Sequence, residues 1–314
     1  MPEKKTGLPS VTLSGELPTA DFLARTGGVG LIRSEYLVRH AGTSWAGEST
    51  RRSVADYLHA LYGRAGGLPL WYRFSDLEAR DVAVLRDSCG SAFVREDNPI
   101  IGVRALRRGA AAGSDLPDEL RTMAALSRDL PQLGLLAPFV RDEQEVADWA
   151  DALRSAGYAG ALGVMVEIPS AAARIERILD TGVTYVVVGM NDLTGLTLGA
   201  ARSTALHDYR HPAVLDLVHR IVEVARLRGV TVRVAGNFGP ELVAALPELT
   251  ASEFSFHYQD WADFRPDDAL LAAHDKDLAA ALRLASDARL IEAGLLDAEN
   301  AVTIAGMRPA TIGG

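Results

Sequence analysis

Two acidic side chains in this sequence each stand where an apolar run stops. Glu167 closes ALGVMVEI and is followed at once by Ile168-Pro169, while Asp192 comes just after TYVVVGM and Asn191. If the two runs are neighbouring parallel strands, their ends lie about 4.8 Å apart, close enough for both carboxylates to reach one hard cation. Magnesium is commonly held in this way, by one or two carboxylates with water and substrate oxygens completing the octahedron. Taken singly, Glu167 could cap a following helix and Asp192 could begin a turn; taken as a pair they favour a metal. Other charged and polar residues close similar runs: Arg33 and Glu35, Arg73 and Asp76, Arg141, Asn237 and His257. A guanidinium in such a position is costly to desolvate unless an anion or a carboxylate meets it. Several of them beside a divalent cation describe a cradle for a phosphate or carboxylate, gripped through bidentate hydrogen bonds. A ring of internal salt bridges, Arg33 with Glu35 and Arg73 with Asp76, is the competing use of the same groups.

The elements that would place these residues are eight short runs, SVTLSGEL (10–17), GVGLIRSEYL (28–37), LPLWYRFS (68–75), LGLLAPFV (133–140), ALGVMVEI (161–168), TYVVVGM (184–190), VTVRVAGNF (230–238) and SEFSFH (252–257). Many are apolar on both alternating faces, as parallel strands covered on both sides must be. Amphipathic helical patterns lie between them, such as 142–157 and 211–229; the second opens on Pro212 and closes on Gly229, the asymmetry expected of a helix. Eight strands in strict alternation with helices favour a closed (β/α)8 TIM barrel of α/β class over an open sheet, because closure removes the edges. No GxGxxG follows the first strand, which argues against a dinucleotide fold. The expectation is one domain over 1–314, with a long insertion after the third strand at about 76–115 and a C-terminal extension at about 286–314. A connection as long as the first of these invites a functional role.

The net charge of −9 disfavours binding to nucleic acid or anionic lipid, both of which reward a basic surface. No secretory leader is read at the start, and no apolar run approaches the roughly twenty residues that span a bilayer, so the expectation is cytoplasmic. The single cysteine, Cys89, excludes an internal disulfide or a multi-cysteine metal site and has no nearby His or basic helix start to activate it. His207, His211 and His219 are expected in surface or capping roles, and Trp45, Trp71, Trp149 and Trp261 in packing.

These motifs resemble the phosphoenolpyruvate-utilising enzymes, the family of pyruvate phosphate dikinase, phosphoenolpyruvate synthase and enzyme I of the sugar phosphotransferase system. GVGLIRSEYL is similar to their GIGLLRTEFL, WYRFSDLEA to their VRTLD strand without the GGDK that follows it, and DNPIIGVRALRR to ENPxLGxRxxR. VMVEIPSAA resembles IMIEVPxAA, VVVGMNDLTGLTLGAAR resembles FSIGTNDLTQYTLxxDR, and HPAVLDLVHRIVEVA follows HPAVLxLIxxxxxAA. The matches run in order across about residues 10–257. The resemblance implies the C-terminal barrel that binds phosphoenolpyruvate and pyruvate, with Mg2+ on Glu167 and Asp192. It further implies Arg33, Arg73 and Arg202 on the phosphoryl group, Asn191 in contact with it, Arg104 lining the site, and pairing of barrels into homodimers.

The departures matter as much. The family carries a CGE tripeptide at the seventh strand, whose cysteine protonates enolpyruvate; here VRVAGNFG puts Ala235 in the place of the cysteine and Asn237 in that of the glutamate. Positioned proton transfer is worth about 10²–10⁴-fold in rate, and an alanine cannot supply it. His257 and Tyr258 are the replacement acids available, although His257 could equally be a buried hydrogen-bonded residue. Gly195-Leu196 replaces Gln-Tyr and is expected to empty part of the pocket wall. The family's phosphohistidine and nucleotide-grasp domains are not expected within this length. The expected function is therefore a Mg-dependent enzyme, transferase- or kinase-like, acting on phosphoenolpyruvate, pyruvate or a related phosphorylated or 2-oxo acid. It would be repurposed for phosphoryl or enolate chemistry, with a small-molecule substrate and a phosphoryl acceptor or partner protein in trans. A Mg-dependent 2-oxo acid aldolase or lyase is the alternative, and a non-catalytic metabolite- or partner-binding descendant is the third.

Overall fold

A computed structural model of the protein describes residues 7–77, 85, 101–110 and 114–264. All eight apolar runs form strands: β1 (Ser10–Leu13), β2 (Val29–Arg33), β3 (Leu70–Arg73), β4 (Leu133–Ala137), β5 (Leu162–Val166), β6 (Tyr185–Gly189), β7 (Thr231–Ala235) and β8 (Phe254–His257). Each pairs in parallel with its sequence neighbours, and β8 returns to β1, so the sheet closes as a (β/α)8 barrel. Helices cover the outside, and outward-facing strand residues such as Val11, Leu135, Val164 and Val186 pack against them in the main core. Leu31, Trp71, Leu136, Met165, Tyr185, Val187 and Ala235 form a separate apolar cluster; their period-2 spacing along the strands assigns them to the barrel interior. Trp71 and Tyr185 stack there with ring centroids 4.0 Å apart. Gly134 makes room for the indole, since a Cβ at that position would lie 2.5 Å from it.

The helix-end signals are built as the chemistry requires. The Asp142 side chain accepts from Glu145 N and starts the helix Glu143–Ser155, as an N-cap should. The His211 side chain accepts from Ala213 N ahead of Pro212–Leu227, and Gly229 takes a φ of +66° just beyond it. His219 pairs with Glu248 on the surface at 2.9 Å. Trp45, Trp149 and Trp261 are buried packing residues.

Three strand ends differ from the sequence expectation. The run through Leu37 stops being strand at Arg33, and Ser34–Ala41 is a helix with Glu35 in its first turn. Asn191 and Asp192 do not end β6 but lie in the first turn of the helix Met190–Leu198, which starts directly after Gly189. Helix N-termini favour acidic residues because the backbone N–H groups there are unpaired, and both Glu35 and Asp192 occupy such turns. Asn237 lies beyond β7 in an exposed loop. Of the expected insertion at 76–115, residues 76–77, 85, 101–110 and 114–115 are described and include a short 3-10 helix, Ala105–Ala110. Cys89 and the expected extension at 286–314 fall outside the described residues. No helix among the described residues is long and apolar enough to cross a membrane.

Candidate active site

The register of the barrel decides which side chains meet at its mouth. Val166 pairs with Val188 across β5 and β6, so Glu167, one residue further, sits level with Gly189. Its carboxylate lies over that glycine, where a Cβ would come within 2.5 Å of Oε2; any larger residue would push Glu167 aside. Glu167 Oε1 accepts from Phe139 N at 2.8 Å. Asp192, on the helix that follows β6, is close enough for its charge to act on Glu167. Burial raises the Glu167 carboxyl to about 7, with the Asp192 and Asp76 charges adding to the shift and Arg73 and Arg104 opposing it. The structure therefore brings the two expected carboxylates together, both of them buried.

The arginines arrive from the other side. Arg73 ends β3, and its guanidinium donates to Glu35 and lies 3.5 Å from Met165 Sδ. Arg33 ends β2 and donates to the same Glu35 oxygen at 3.1 Å. Burial raises the Glu35 carboxyl, but Arg73 and then Arg33 outweigh it and hold the group down at about 2. One carboxylate thus fixes two guanidinium groups. Among the described residues no acceptor meets the buried Arg73 Nε, which is unusual for a donor of this strength. Of the competing internal salt bridges, Arg33 with Glu35 is found, whereas Arg73 takes Glu35 rather than Asp76. Asp76 takes Arg104 instead, through bonds of 3.1 and 2.6 Å. Arg104 also lies 3.5 Å from Asp192 and 4.4 Å above the Phe139 ring. Arg141 packs against the same ring and pairs with Glu145 at 3.1 Å on the rim. Arg202, on the loop after Met190–Leu198, reaches back and pairs with Asp192.

Asn191 and Asn237 lie together. Asn191 Oδ1 accepts from Tyr209 OH and from Asn237 N, both at 3.0 Å. His207, expected on the surface, is partly buried with Nε2 2.9 Å from the Asn191 carbonyl. His207 and Ala200 also fill the space at Gly195, where a Cβ would meet Ala200 O at 3.1 Å and the His207 ring at 3.7 Å. The expected opening in the pocket wall is closed by this loop. His257 ends β8 at the mouth, with Nε2 3.0 Å from Ser14 Oγ and Nδ1 accepting from Gln259 N at 3.3 Å. That second bond puts the neutral ring's proton on Nε2, facing Ser14. Tyr258 does not join it: the ring is fully buried in the strand–helix core, edge-on to Phe22 at 5.0 Å.

Three contributors escape a reading of motifs. Ser14 continues the inward alternation Ser10, Thr12, Ser14 past the end of β1 and lies 3.5 Å from Arg33; that alternation was the available signal. Phe139 links the Glu167 carboxylate to Arg104 while holding a φ of +50°, an uncommon conformation for a bulky residue. Behind β3, Glu119 is fully buried and accepts from Tyr72 OH, Ser75 N and Ser75 Oγ at 2.9, 2.8 and 3.0 Å. Arg108, from the GVRALRR segment, donates to Ser75 O at 2.7 Å. Together they anchor the residue before Asp76. Burial holds the Glu119 carboxyl up at about 7, against Arg108 and with help from Asp115. Protons are then bound more tightly in the folded chain than in the unfolded one, so Glu119 stabilises most fully below about pH 4.3 and loses that contribution as pH rises through about 7. Glu119→Gln should flatten the stability profile between about pH 5 and 7 in urea unfolding; a wild-type slope in the variant would refute the assignment.

Among the described residues no group of three or more His, Cys, Asp or Glu side chains is gathered to bind a metal. Glu167 and Asp192 nevertheless suit magnesium, which needs only one or two carboxylates when substrate oxygens contribute. The mutual repulsion that raises Glu167 is what a cation between the two groups would relieve.

Residues 19–266 match the sequence model described as "PEP-utilising enzyme, PEP-binding domain". A probable phosphoenolpyruvate synthase of Pyrococcus abyssi (strain GE5 / Orsay) is 28% identical over 260 residues, covering 75% of this chain and 31% of the relative. A phosphoenolpyruvate-protein phosphotransferase of Streptomyces coelicolor is 38% identical over 171 residues, 51% of this chain and 30% of the relative. The chain thus spans about a third of the length of these curated relatives. Among solved structures, a HpcH/HpaI aldolase/citrate lyase family protein from Burkholderia cenocepacia J2315 superposes with a TM-score of 0.46 at 17% identity, over 85% of this chain and 95% of that one.

Proposed function

The chain belongs to the phosphoenolpyruvate-utilising enzymes, through their PEP-binding domain, and from that premise we propose a magnesium-dependent enzyme acting on phosphoenolpyruvate, pyruvate or a related phosphorylated or 2-oxo acid. The observation that carries the reading is the meeting of two buried carboxylates, Glu167 just past β5 and Asp192 in the first turn of the helix after β6, with the buried guanidinium groups of Arg73 and Arg104. When bound, magnesium would polarise the substrate oxygens and offset the charge that develops on an enolate or a phosphoryl group.

The chain's own residues do the rest. Arg73 and Arg33, locked by Glu35, form a cationic wall that grips the anionic end of the substrate, and Arg73 Nε, which has no acceptor among the described residues, is a donor suited to it. Donors fixed before the reaction need no reorganisation when charge develops. Ala235 and Met165, in the apolar interior cluster, exclude water beneath the reacting carbon. With no cysteine at Ala235, a proton would reach the enolate carbon from solvent on the His257 side: Ser14 Oγ gives up its proton and takes one from water, which leaves as hydroxide, while His257 Nε2–H fixes that hydroxyl. A phosphoryl group would go to an acceptor supplied in trans.

The test is to incubate the protein with Mg2+ and phosphoenolpyruvate, pyruvate or oxaloacetate and follow ³¹P and ¹H NMR. Magnesium-dependent change of the phosphorus signals on adding an acceptor is the expected result for phosphoryl chemistry. Deuterium entering the pyruvate methyl group is the result for enolate chemistry. Binding without either would reduce the protein to a non-catalytic descendant and overturn the proposal.

A further inference from the structure

Asp192 is buried, yet both of its oxygens face a guanidinium: Arg202 pairs with Oδ1, and Arg104 lies 3.5 Å from Oδ2. The two arginines are held very differently. Arg104 is 8% exposed, bonded twice to Asp76 and stacked on Phe139, so its position does not depend on Asp192. The Arg202 side chain is half exposed, at 50%, and extends from the loop that follows Met190–Leu198. Among the described residues its ion pair is with Asp192. A cation arriving at Glu167 and Asp192 therefore competes with Arg202 for Oδ1.

We propose that Arg202 is an internal counter-ion of Asp192 that metal binding displaces onto the anionic substrate, so that one side chain couples the two binding events. The inference rests on the reading of Glu167 and Asp192 as metal ligands. An exposed side chain that leaves a carboxylate keeps its charge and its five donors, and an anion at the mouth gives it a new partner. Coupling of this kind is reciprocal: an anion that captures Arg202 frees Asp192 for the metal, and the metal frees Arg202 for the anion.

The experiment titrates Mn2+ into the full chain by electron paramagnetic resonance, without any anion, and then titrates phosphoenolpyruvate at saturating metal. Arg202→Gln should bind Mn2+ alone about fivefold more tightly than wild type, the weight of a partly exposed ion pair. It should bind phosphoenolpyruvate about tenfold or more weakly, as expected on losing a charge-assisted hydrogen bond. Arg202→Lys, which keeps the charge, should fall between the two. Arg210→Gln removes a charge from the same loop that is paired with Asp208 rather than Asp192, and should leave Mn2+ affinity unchanged. Equal or weaker Mn2+ binding by Arg202→Gln would overturn the proposal, as would an equal gain in Arg210→Gln. Failure of both wild type and Arg202→Gln to bind Mn2+ would overturn the metal site itself, and this inference with it.

Discussion

Asp192→Asn is expected to give a folded barrel that no longer binds phosphoenolpyruvate in a magnesium-dependent manner. The substitution keeps the shape of a buried side chain but removes one of the two negative charges on which the metal reading depends. Arg104 retains its two bonds to Asp76 and Arg202 is half exposed, so neither guanidinium is stranded and the fold should survive. Loss of an outer partner of a metal site already costs about 10–100-fold in metal affinity; loss of one of two carboxylate ligands should exceed that. Calorimetric titration with and without Mg2+ would show it, and unchanged magnesium dependence would refute the site. Glu167→Gln should weaken the metal in the same way with the opposite effect on stability. Burial and the charge of Asp192 hold Glu167 at about 7, so ionising it above that pH costs the metal-free protein stability. A neutral glutamine avoids the cost, and the metal-free variant should resist urea better than wild type at about pH 8.

The second large effect is on stability and binding together. Arg73 is 7% exposed, and the Glu35 it meets is 4% exposed. Arg73→Ala leaves a buried carboxylate with only Arg33 beside it, and breaking such a pair costs about 3–5 kcal/mol. The expected variant unfolds several degrees lower and has lost affinity for the anionic substrate. Adding Glu35→Gln removes the stranded charge and should restore most of the stability without restoring binding. Thermal unfolding and ligand titration of the two singles and the double separate the roles. Recovery of binding in the double variant would show that Arg73 serves only to neutralise Glu35.

How far the sequence led follows from particular residues. All eight strands were legible as short runs alternating with helical patterns, many of them apolar on both faces: Val186, Val187 and Val188 must be so to sit between a barrel interior and a layer of helices. The ends of the runs were less legible. RSEYL continues the apolar pattern of β2, but the chain turns helical at Ser34, because Leu37 and Val38 serve a helix core as readily as a strand. Glu167 and Asp192 could be paired from sequence because barrel order makes β5 and β6 neighbours. Of the arginines, Arg33 with Glu35 was legible and found, but the other partners were not. Asp76 bonds Arg104 rather than Arg73, and Arg202 returns to Asp192; both depend on how long connections fold back. Glu119 reads as the polar face of an amphipathic helix and is in fact fully buried, since Tyr72 and Ser75 supply the hydrogen bonds that make burial tolerable. Phe139 gave no warning, because a positive φ at a non-glycine residue is imposed by its surroundings.

Crystals of the protein grown with Mn2+ and phosphoenolpyruvate and measured at the manganese absorption edge address the central claim most directly. One anomalous peak is expected between the carboxylates of Glu167 and Asp192, with the anion on the side of Arg33 and Arg73. A peak elsewhere, or an anion bound by the arginines with no metal between those two carboxylates, would contradict it.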